Sequence, residues 1–357
     1  MNTEQPKERN AAMDLARIVA ILMVIGIHVT SPLTKGDITS LKWHAAVSWS
    51  SLCRSANLLF FMISGAFYKD APIGKTVKKI IKYTIIFFAV SLLYSISDAV
   101  RGSVFEGNAI GLSQILKGVA GYKYHLWYLP AYIFVLSIAP ILVKVIDNDN
   151  GRLTEYMLGI WFVFAILTDT CVTAVDGFGK LEPIGKLATF CSSLVFLTGN
   201  HVGYFILGRY LSRKQYLKKT RIGIYALGLL STAALYFLTD WYSRNSGAGD
   251  TRWFGSFNIF VLLQAAAVFV LFNNITVTGK RARTVSRISK CTFGIYLFHV
   301  LFLDWGGDLN ILTDSGIGGL KINPIVNIPL QVLLVFLVSF VIVFAVKTLV
   351  SDFKARR

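Results

Sequence analysis

The chain has 357 residues, of which 54% are hydrophobic and 13% aromatic, and its mean hydropathy is +0.59. These values exclude an ordinary soluble globular protein, which does not spread long uncharged apolar runs over its whole length. The formal net charge is +17, but the basic residues cluster in short stretches between the apolar runs. We therefore expect no nucleic-acid partner.

Ten apolar runs of about membrane-spanning length extend along the chain. We predict an all-α integral membrane protein with about ten transmembrane helices. Residues 1–357 are expected to form one transmembrane domain with no soluble domain and no cleaved secretory signal. The runs at 50–68, 80–97 and 289–305 are short and are expected to rely on tilt or local bilayer thinning. The predicted spans are 12–33, 50–68, 80–97, 126–146, 154–173, 188–208, 221–239, 255–275, 289–305 and 325–350.

The distribution of Lys and Arg predicts the orientation of these spans, because basic residues concentrate on cytoplasmic loops. Most of the 36 basic residues fall on one side if the N-terminus is inside. We therefore predict that both termini are cytoplasmic. The basic clusters "KTVKKIIK", "RYLSRKQYLKKTR" and "GKRARTVSRISK" then set the topology and contact anionic lipid, or some of them hold an anionic cytosolic substrate.

The first span carries three polar groups, Asp14, Arg17 and His28. Eleven residues separate Arg17 from His28, so at ~100° and 1.5 Å per residue the two side chains share a helix face and lie ~16 Å apart in depth. Asp14 lies on that face and is expected to pair with Arg17 or orient it. Alone, Arg17 would be an interfacial anchor and His28 a helix-packing group. Together they indicate a functional site, because polar groups at membrane depth are costly.

The second and fourth spans add further candidates. We expect Arg54 at the outer end of the second span, with Ser64 and Gly65 toward its inner end, where small residues pack helices or let a ligand approach the backbone. His125 and Trp127 begin the fourth span on the outer side. An aromatic belt explains Trp127 as well as ligand binding does, but it does not explain His125.

The ninth span places His299 about halfway through the membrane, with Tyr296 one turn earlier. Packing alone is the alternative for His299. His44 and His201 match no pattern and are interpreted as loop or packing residues. No two histidines have the short spacing of a local metal site, and the four cysteines lack CxxC spacing, so we predict no metal site and no redox pair.

Four motifs in order resemble those of the membrane-bound acyltransferase-3 family. They are Asp-x-x-Arg followed by His, Phe-Phe-x-x-Ser-Gly, His-Leu-Trp-Tyr-Leu and Gly-Ile-Tyr-x-x-His. Among the branches of the family, the chain is most similar to the inner-membrane O-acetyltransferases that modify enterobacterial common antigen. The matching residues are Asp14, Arg17 and His28; Phe60, Phe61, Ser64 and Gly65; His125 to Leu129; and Gly294 to His299.

The resemblance implies a multi-pass protein of the bacterial inner membrane that moves an acetyl group from cytosolic acetyl-CoA to a sugar hydroxyl of a cell-surface or lipid-linked glycan. Acetyl-CoA is then a co-substrate, with no permanently bound cofactor. The partners are acetyl-CoA, the glycan acceptor and membrane lipid.

Acetyl-CoA is a polyanion, so a basic cytosolic mouth should bind its phosphates while the thioester threads inward. We expect Asp14, Arg17, Lys79, Lys82 and Ser64 to bind this donor. The family commonly has Arg-x-x-Arg where this chain has Lys79 and Lys82, and lysine lacks the bidentate guanidinium fork.

The resemblance also implies catalytic and acceptor-binding roles. His28 acts either as the general base that deprotonates the acceptor hydroxyl or as a nucleophile that forms an acyl-histidine. His299 and Tyr296 orient His28, bind acceptor hydroxyls or stabilise the oxyanion. The expected acceptor-binding residues are Arg54, His125 and Trp127.

A transporter or exporter of glycans or lipid-linked sugars is the rival interpretation, since it would use the same buried polar groups as a path. The sequence shows no convincing inverted repeat and no paired broken helices, which favours the transferase. A scaffold protein would give no reason for a histidine deep in the membrane.

Overall fold

The computed structural model describes residues 10–69, 72–148, 150–175 and 200–355, and most of this chain is helical. A three-stranded antiparallel sheet of short strands follows the helix Thr292–Asp308. Its strands are β1 (Leu312–Thr313), β2 (Gly316–Ile317) and β3 (Leu320–Lys321). The helices are α1 (Ala11–Thr30), α2 (Leu41–Cys53), α3 (Ala56–Phe67), α4 (Ile73–Glu106), α5 (Leu112–Gly121), α6 (Tyr128–Asp147), α7 (Arg152–Trp161), α8 (Thr168–Val175), α9 (Asn200–Arg213), α10 (Lys218–Ser246), α11 (Ile259–Asn273), α12 (Gly279–Ser289), α13 (Thr292–Asp308) and α14 (Pro324–Ala355).

Side-chain caps explain where several of these helices begin. Asn10 precedes α1, Ser40 precedes α2 and Asn258 precedes α11, and each side chain accepts a hydrogen bond from a backbone N–H two or three residues later. Such caps satisfy N–H groups that have no partner within the helix. At the other end of α4, Gly107 adopts a φ of 72°, a conformation that favours glycine and stops the helix.

Within the described ranges, eight helical segments are long and apolar enough to cross a membrane, which confirms the all-α membrane class. Of the remaining two predicted spans, 188–208 lies partly outside the described residues, and 289–305 corresponds to the 17-residue helix α13. The eight segments are Ala11–Lys35, Leu41–Phe67, Ile73–Glu106, Tyr124–Asp147, Arg152–Ala174, Lys218–Ser246, Arg252–Asn273 and Pro324–Asp352.

The prediction of a short third span at 80–97 is wrong. Helix α4 has 34 residues, so at 1.5 Å per residue it is ~51 Å long and extends well beyond the ~30 Å hydrocarbon core. The apolar run ends at lysines, but lysine is a good helix former, so the helix continues through "KTVKKIIK" toward the predicted cytoplasm.

The prediction for the second span is wrong at its outer end. This span begins at Leu41 rather than near residue 50, and it consists of α2 and α3 with a break between them. Arg54 therefore lies at the break in the middle of the span and not at its outer end. Hydropathy missed α2 because this helix includes polar residues such as Lys42 and His44.

Gln264 of α11 satisfies the backbone groups that the break leaves free. Its Oε1 accepts a hydrogen bond from the Ser55 backbone N–H at 2.9 Å, and its Nε2 donates to the Ser51 carbonyl at 2.9 Å. No water is available inside a bilayer to do this, so a broken helix needs a protein partner at that depth.

Helix α1 lies at the centre of the fold and packs against α2, α3, α11, α12, α13 and α14. In contrast, long stretches of α4, α10 and α14 expose apolar side chains, as expected for surfaces that face lipid. Because α1 touches so many helices, its polar residues reach the interior of the protein rather than the lipid.

Helices α3 and α9 approach each other closely at two glycines. A Cβ at Gly65 would lie 1.8 Å from the Phe205 carbonyl oxygen, and a Cβ at Gly208 would lie 2.0 Å from the Met62 carbonyl oxygen. Arg209 of α9 strengthens this contact, because its Nη1 donates to the Gly65 carbonyl at 3.1 Å. Gly65 thus packs helices, as small residues in membrane proteins commonly do.

We expect Gly65→Ala to destabilise the protein by about 1–3 kcal/mol, because the added methyl group overlaps a backbone carbonyl that cannot rotate away. Thermal unfolding of the purified protein in detergent measures the effect. Gly223→Ala in α10 is the matched control, since its Cβ would meet no atom within 4 Å. Equal unfolding midpoints for the two variants would contradict the close helix contact.

Candidate active site

A cavity of about 420 Å³, here called the basic cavity, lies at the predicted cytoplasmic end of α1, α3 and α4. It is lined by Arg17, Ser64 and Lys79, three of the five residues predicted to bind the donor. Lys69 and Lys75 contribute two more ammonium groups. This concentration of positive charge suits a ligand that carries phosphate groups.

The other two predicted donor residues do not line the basic cavity. Asp14 is fully buried beside it, and its Oδ1 accepts hydrogen bonds from Arg17 Nη1 at 2.7 Å and from Ser289 Oγ at 2.9 Å. Asp14 therefore orients Arg17 rather than facing a ligand. Lys82 is exposed, three residues beyond Lys79 on α4.

A second cavity of about 140 Å³, here called the inner cavity, continues from the basic cavity into the protein. Arg17, Ser64 and Tyr132 line both cavities, so the two are adjacent. The inner cavity reaches Asn57 of α3 and Tyr296 of α13. Its walls are mostly aromatic, which suits the thin uncharged arm of a long ligand better than its phosphates.

Three histidines from separate parts of the sequence meet near the end of α1. The ring centroids of His28 and His299 are 5.2 Å apart, those of His125 and His299 are 5.3 Å apart, and those of His28 and His125 are 6.2 Å apart. We call these residues the histidine cluster. Sequence analysis selected all three and gave orientation of His28 as one of the alternative roles of His299, but it did not predict that His125 would lie beside both.

The hydrogen bonds of His299 determine which of its nitrogens is free. Its Nδ1 lies 2.8 Å from the Tyr296 carbonyl and 3.2 Å from the Ile295 carbonyl, and because carbonyls only accept, Nδ1 carries the proton. In the neutral ring Nε2 is then an acceptor, and it has no hydrogen-bond partner in the described part of the chain. His299 can therefore accept a proton or a hydrogen bond from a group in the cluster.

The hydroxyl group of Tyr296 is already used by the protein. It donates a hydrogen bond of 2.8 Å to the His125 backbone carbonyl, and both groups are buried. Tyr296 therefore positions the short 3₁₀ turn Tyr124–Trp127, while its ring lines the inner cavity. The geometry supports a positioning role for Tyr296 more directly than binding of acceptor hydroxyls or stabilisation of the oxyanion.

Trp127 lies beside a histidine that the sequence did not single out. The ring centroids of Trp127 and His201 are 5.2 Å apart, and His201 stacks on Phe61 at 4.7 Å. The Nε2 atom of His201 is buried and has no hydrogen-bond partner among the described residues. His44, in contrast, is hydrogen-bonded to the Tyr236 hydroxyl at 3.0 Å, near the exposed surface of α10.

Sequence analysis assigned no role to Tyr83, Tyr128 and Tyr132, which line the inner cavity together with Tyr296. Tyr128 and Tyr132 occupy consecutive turns of α6 with their rings stacked at 5.7 Å, and Tyr83 of α4 contacts Tyr132 at 5.6 Å. Tyr128 belongs to the His-Leu-Trp-Tyr-Leu motif, and the spacing of four residues to Tyr132 was a usable signal for a shared helix face.

Comparison with known proteins identifies the family. The sequence matches the acyltransferase-3 acyltransferase domain over residues 10–347. The chain belongs to the acyltransferase-3 family. It is also 28% identical over 235 residues to an amino-acid racemase from Enterococcus faecalis, a match that covers 62% of this chain and 31% of the racemase. The chain thus spans about a third of that relative, and no solved structure matches it.

The family match shows that this protein carries a membrane acyltransferase domain, and the two cavities and the histidine cluster lie within the matched residues. In the described ranges, no group of three or more His, Cys, Asp or Glu residues is arranged to hold a metal ion, and this includes the histidine cluster.

We expect Tyr296→Phe to lower the free energy of unfolding by ~1–3 kcal/mol, because the buried His125 carbonyl loses its donor. Denaturation of the detergent-solubilised protein measures the change. Tyr83→Phe removes the hydroxyl of another tyrosine that lines the inner cavity but has no hydrogen bond in the described structure. Loss of stability in Tyr83→Phe equal to that in Tyr296→Phe would contradict the positioning role.

Proposed function

We propose that the protein is a membrane-embedded O-acetyltransferase that moves an acetyl group from cytosolic acetyl-CoA to a sugar hydroxyl of a cell-surface or lipid-linked glycan. The proposal places it in the bacterial inner membrane. The observation that carries it is the succession of a basic cavity, an aromatic inner cavity and a histidine cluster across an acyltransferase-3 domain.

Each part of this succession suits one part of the reaction. The phosphates of acetyl-CoA bind at Arg17, Lys75 and Lys79, where the protein concentrates cations. The pantetheine arm extends into the inner cavity past Ser64. The thioester is thereby delivered toward His28, which lies ~16 Å deeper than Arg17 on the same helix.

His28 is the proposed general base. It removes the proton of the acceptor hydroxyl while the hydroxyl oxygen attacks the thioester carbon, and it returns the proton to the leaving thiolate of CoA. His299, whose Nε2 is free to accept, holds His28 or the hydroxyl in place. His28 as an acetylated nucleophile is the alternative route through the same geometry.

The acceptor is proposed to approach from the outer side, toward His125 and Trp127. Aromatic faces with polar edges suit the apolar faces and hydroxyls of a sugar. The resemblance to O-acetyltransferases of enterobacterial common antigen makes a lipid-linked glycan that contains N-acetylglucosamine the first acceptor to test. Racemisation is not proposed, because the match to the racemase covers 31% of that protein.

We expect His28→Ala to lower kcat for acetyl transfer by about 10²–10⁴-fold, the usual contribution of a general base. The assay supplies radiolabelled acetyl-CoA and candidate glycan lipids to the purified protein and counts label in the acceptor. If wild-type protein labels no acceptor while glycan transport across the membrane depends on it, the transferase proposal fails and the transporter is favoured. Full transfer by His28→Ala would remove only the proposed base.

We expect Arg17→Ala to raise KM for acetyl-CoA ~10-fold or more while KM for the glycan changes little, because Arg17 lines the donor path. Lys79→Ala should raise KM for acetyl-CoA by ~2–5-fold, since exposed charges contribute less. Lys78→Ala is the matched control, because this neighbouring lysine is exposed and does not line the basic cavity. Equal increases for both substrates in Arg17→Ala would exclude Arg17 from donor binding.

A further inference from the structure

Arg54 is held in the interior of the membrane domain by the break between α2 and α3. Its guanidinium group lies 4.1 Å from the ring centroid of Phe254 and donates to Ser50 Oγ. The break itself is fixed by the hydrogen bonds of Gln264 to the neighbouring backbone. The position of this cation is therefore a built feature of the fold and not a consequence of a flexible loop.

Among the described residues, no carboxylate balances the charge of Arg54. In the described part of the chain no Asp or Glu oxygen lies within 4.0 Å of its nitrogens, and its buried Nε has no hydrogen-bond partner. Other arginines of the fold have such a partner: Arg209 lies 2.5 Å from Asp147, and Arg101 lies 2.5 Å from Asp308. Arg54 is half-buried in the middle of a membrane span, where a cation without a counter-ion is costly, so the site favours an anion that arrives or forms there.

Arg54 and His28 lie at similar depth. Arg17 and Ser64 both line the basic cavity. His28 lies eleven residues from Arg17 along α1, and Arg54, in the break just before α3, lies ten residues from Ser64. At 1.5 Å per residue, both side chains therefore lie ~15–16 Å above that cavity on helices that pack against each other.

We propose that Arg54 is the oxyanion-stabilising residue of the acyl transfer. This inference rests on the proposed function. As the acceptor oxygen bonds to the thioester carbon, the π-electron pair of the carbonyl moves to its oxygen, and the free N–H groups of Arg54 donate hydrogen bonds to that oxyanion. The tetrahedral intermediate then collapses, the C=O bond re-forms, the C–S bond breaks, and the CoA thiolate takes the proton that His28 had removed.

Two physical arguments favour this role over binding of the donor phosphates or of an acidic acceptor. The donor phosphates are expected at the basic cavity, ~15 Å from Arg54, so they cannot neutralise it. The reaction itself creates a negative charge at the depth of His28, where a half-buried cation with no carboxylate partner among the described residues can stabilise it. Arg54 is thus a catalytic residue rather than the acceptor-binding residue that the sequence predicted.

The test uses the full-length protein and the variants Arg54→Gln and Arg54→Lys. Two reactions are measured: acetyl transfer to the glycan, and hydrolysis of acetyl-CoA with water as acceptor and no glycan present. We expect Arg54→Gln to lower kcat of both reactions by about 10²–10³-fold, with KM for acetyl-CoA and for the glycan changed less than threefold. Arg54→Lys should recover part of kcat, because it keeps the charge but loses the fork.

Arg244→Gln is the control, because Arg244 is exposed and paired with Asp240 at 2.8 Å; both its reactions should equal wild type. If Arg54→Gln does not fold, as judged by gel filtration, Arg54→Lys supplies the same comparison of kcat with KM. Unchanged hydrolysis with a raised KM for the glycan would show an acceptor-binding residue and overturn the proposal. Wild-type protein inactive in both reactions would instead refute the proposed function.

Discussion

The pair of hydrogen bonds from Gln264 to the break between α2 and α3 is the interaction on which the site depends. A helix that crosses lipid satisfies its own backbone, and a break at that depth is stable only if another side chain replaces the lost bonds. Gln264 does this at Ser51 and Ser55. Arg54 lies in this break, at about the depth of His28. The break also sets which face of the span Arg54 occupies, because in an uninterrupted helix the direction of each side chain is fixed by the helical period.

Much of the fold was predictable because hydropathy reports directly on lipid exposure. The apolar runs located the eight segments that are long enough to cross a membrane. The predicted bounds were wrong where a helix extends beyond its apolar run. Helix α4 includes the lysines next to its apolar run, and α2 begins in a polar stretch after the Ser40 cap. Hydropathy also gives no sign of a break inside a span, because the group that permits it, Gln264, lies about 210 residues away in the chain.

The candidate site was predictable within one helix and not between helices. The spacing of Asp14, Arg17 and His28 requires only helical periodicity, and the pairing of Asp14 with Arg17 is present at 2.7 Å. The histidine cluster depends on tertiary packing, since His125 and His299 are separated by more than 170 residues. His201 was passed over because nothing near it in the sequence indicates that it will stack on Phe61 beside Trp127.

Arg17 and Arg54 differ in their ion pairing, and the difference matches the negative charge that each is proposed to bind. Arg17 is paired with Asp14, which fixes its direction and leaves further N–H groups for a ligand that is anionic before the reaction begins. Arg54 has no carboxylate in the described structure, so its full charge is available for a negative charge that exists only during the reaction. Adding an acidic partner to Arg54 would stabilise the resting protein but would weaken this second interaction, because the oxyanion would compete with a permanent counter-ion. The lack of a carboxylate partner for Arg54 in the described structure thus lowers the stability of the folded protein but strengthens the proposed stabilisation of the transition state.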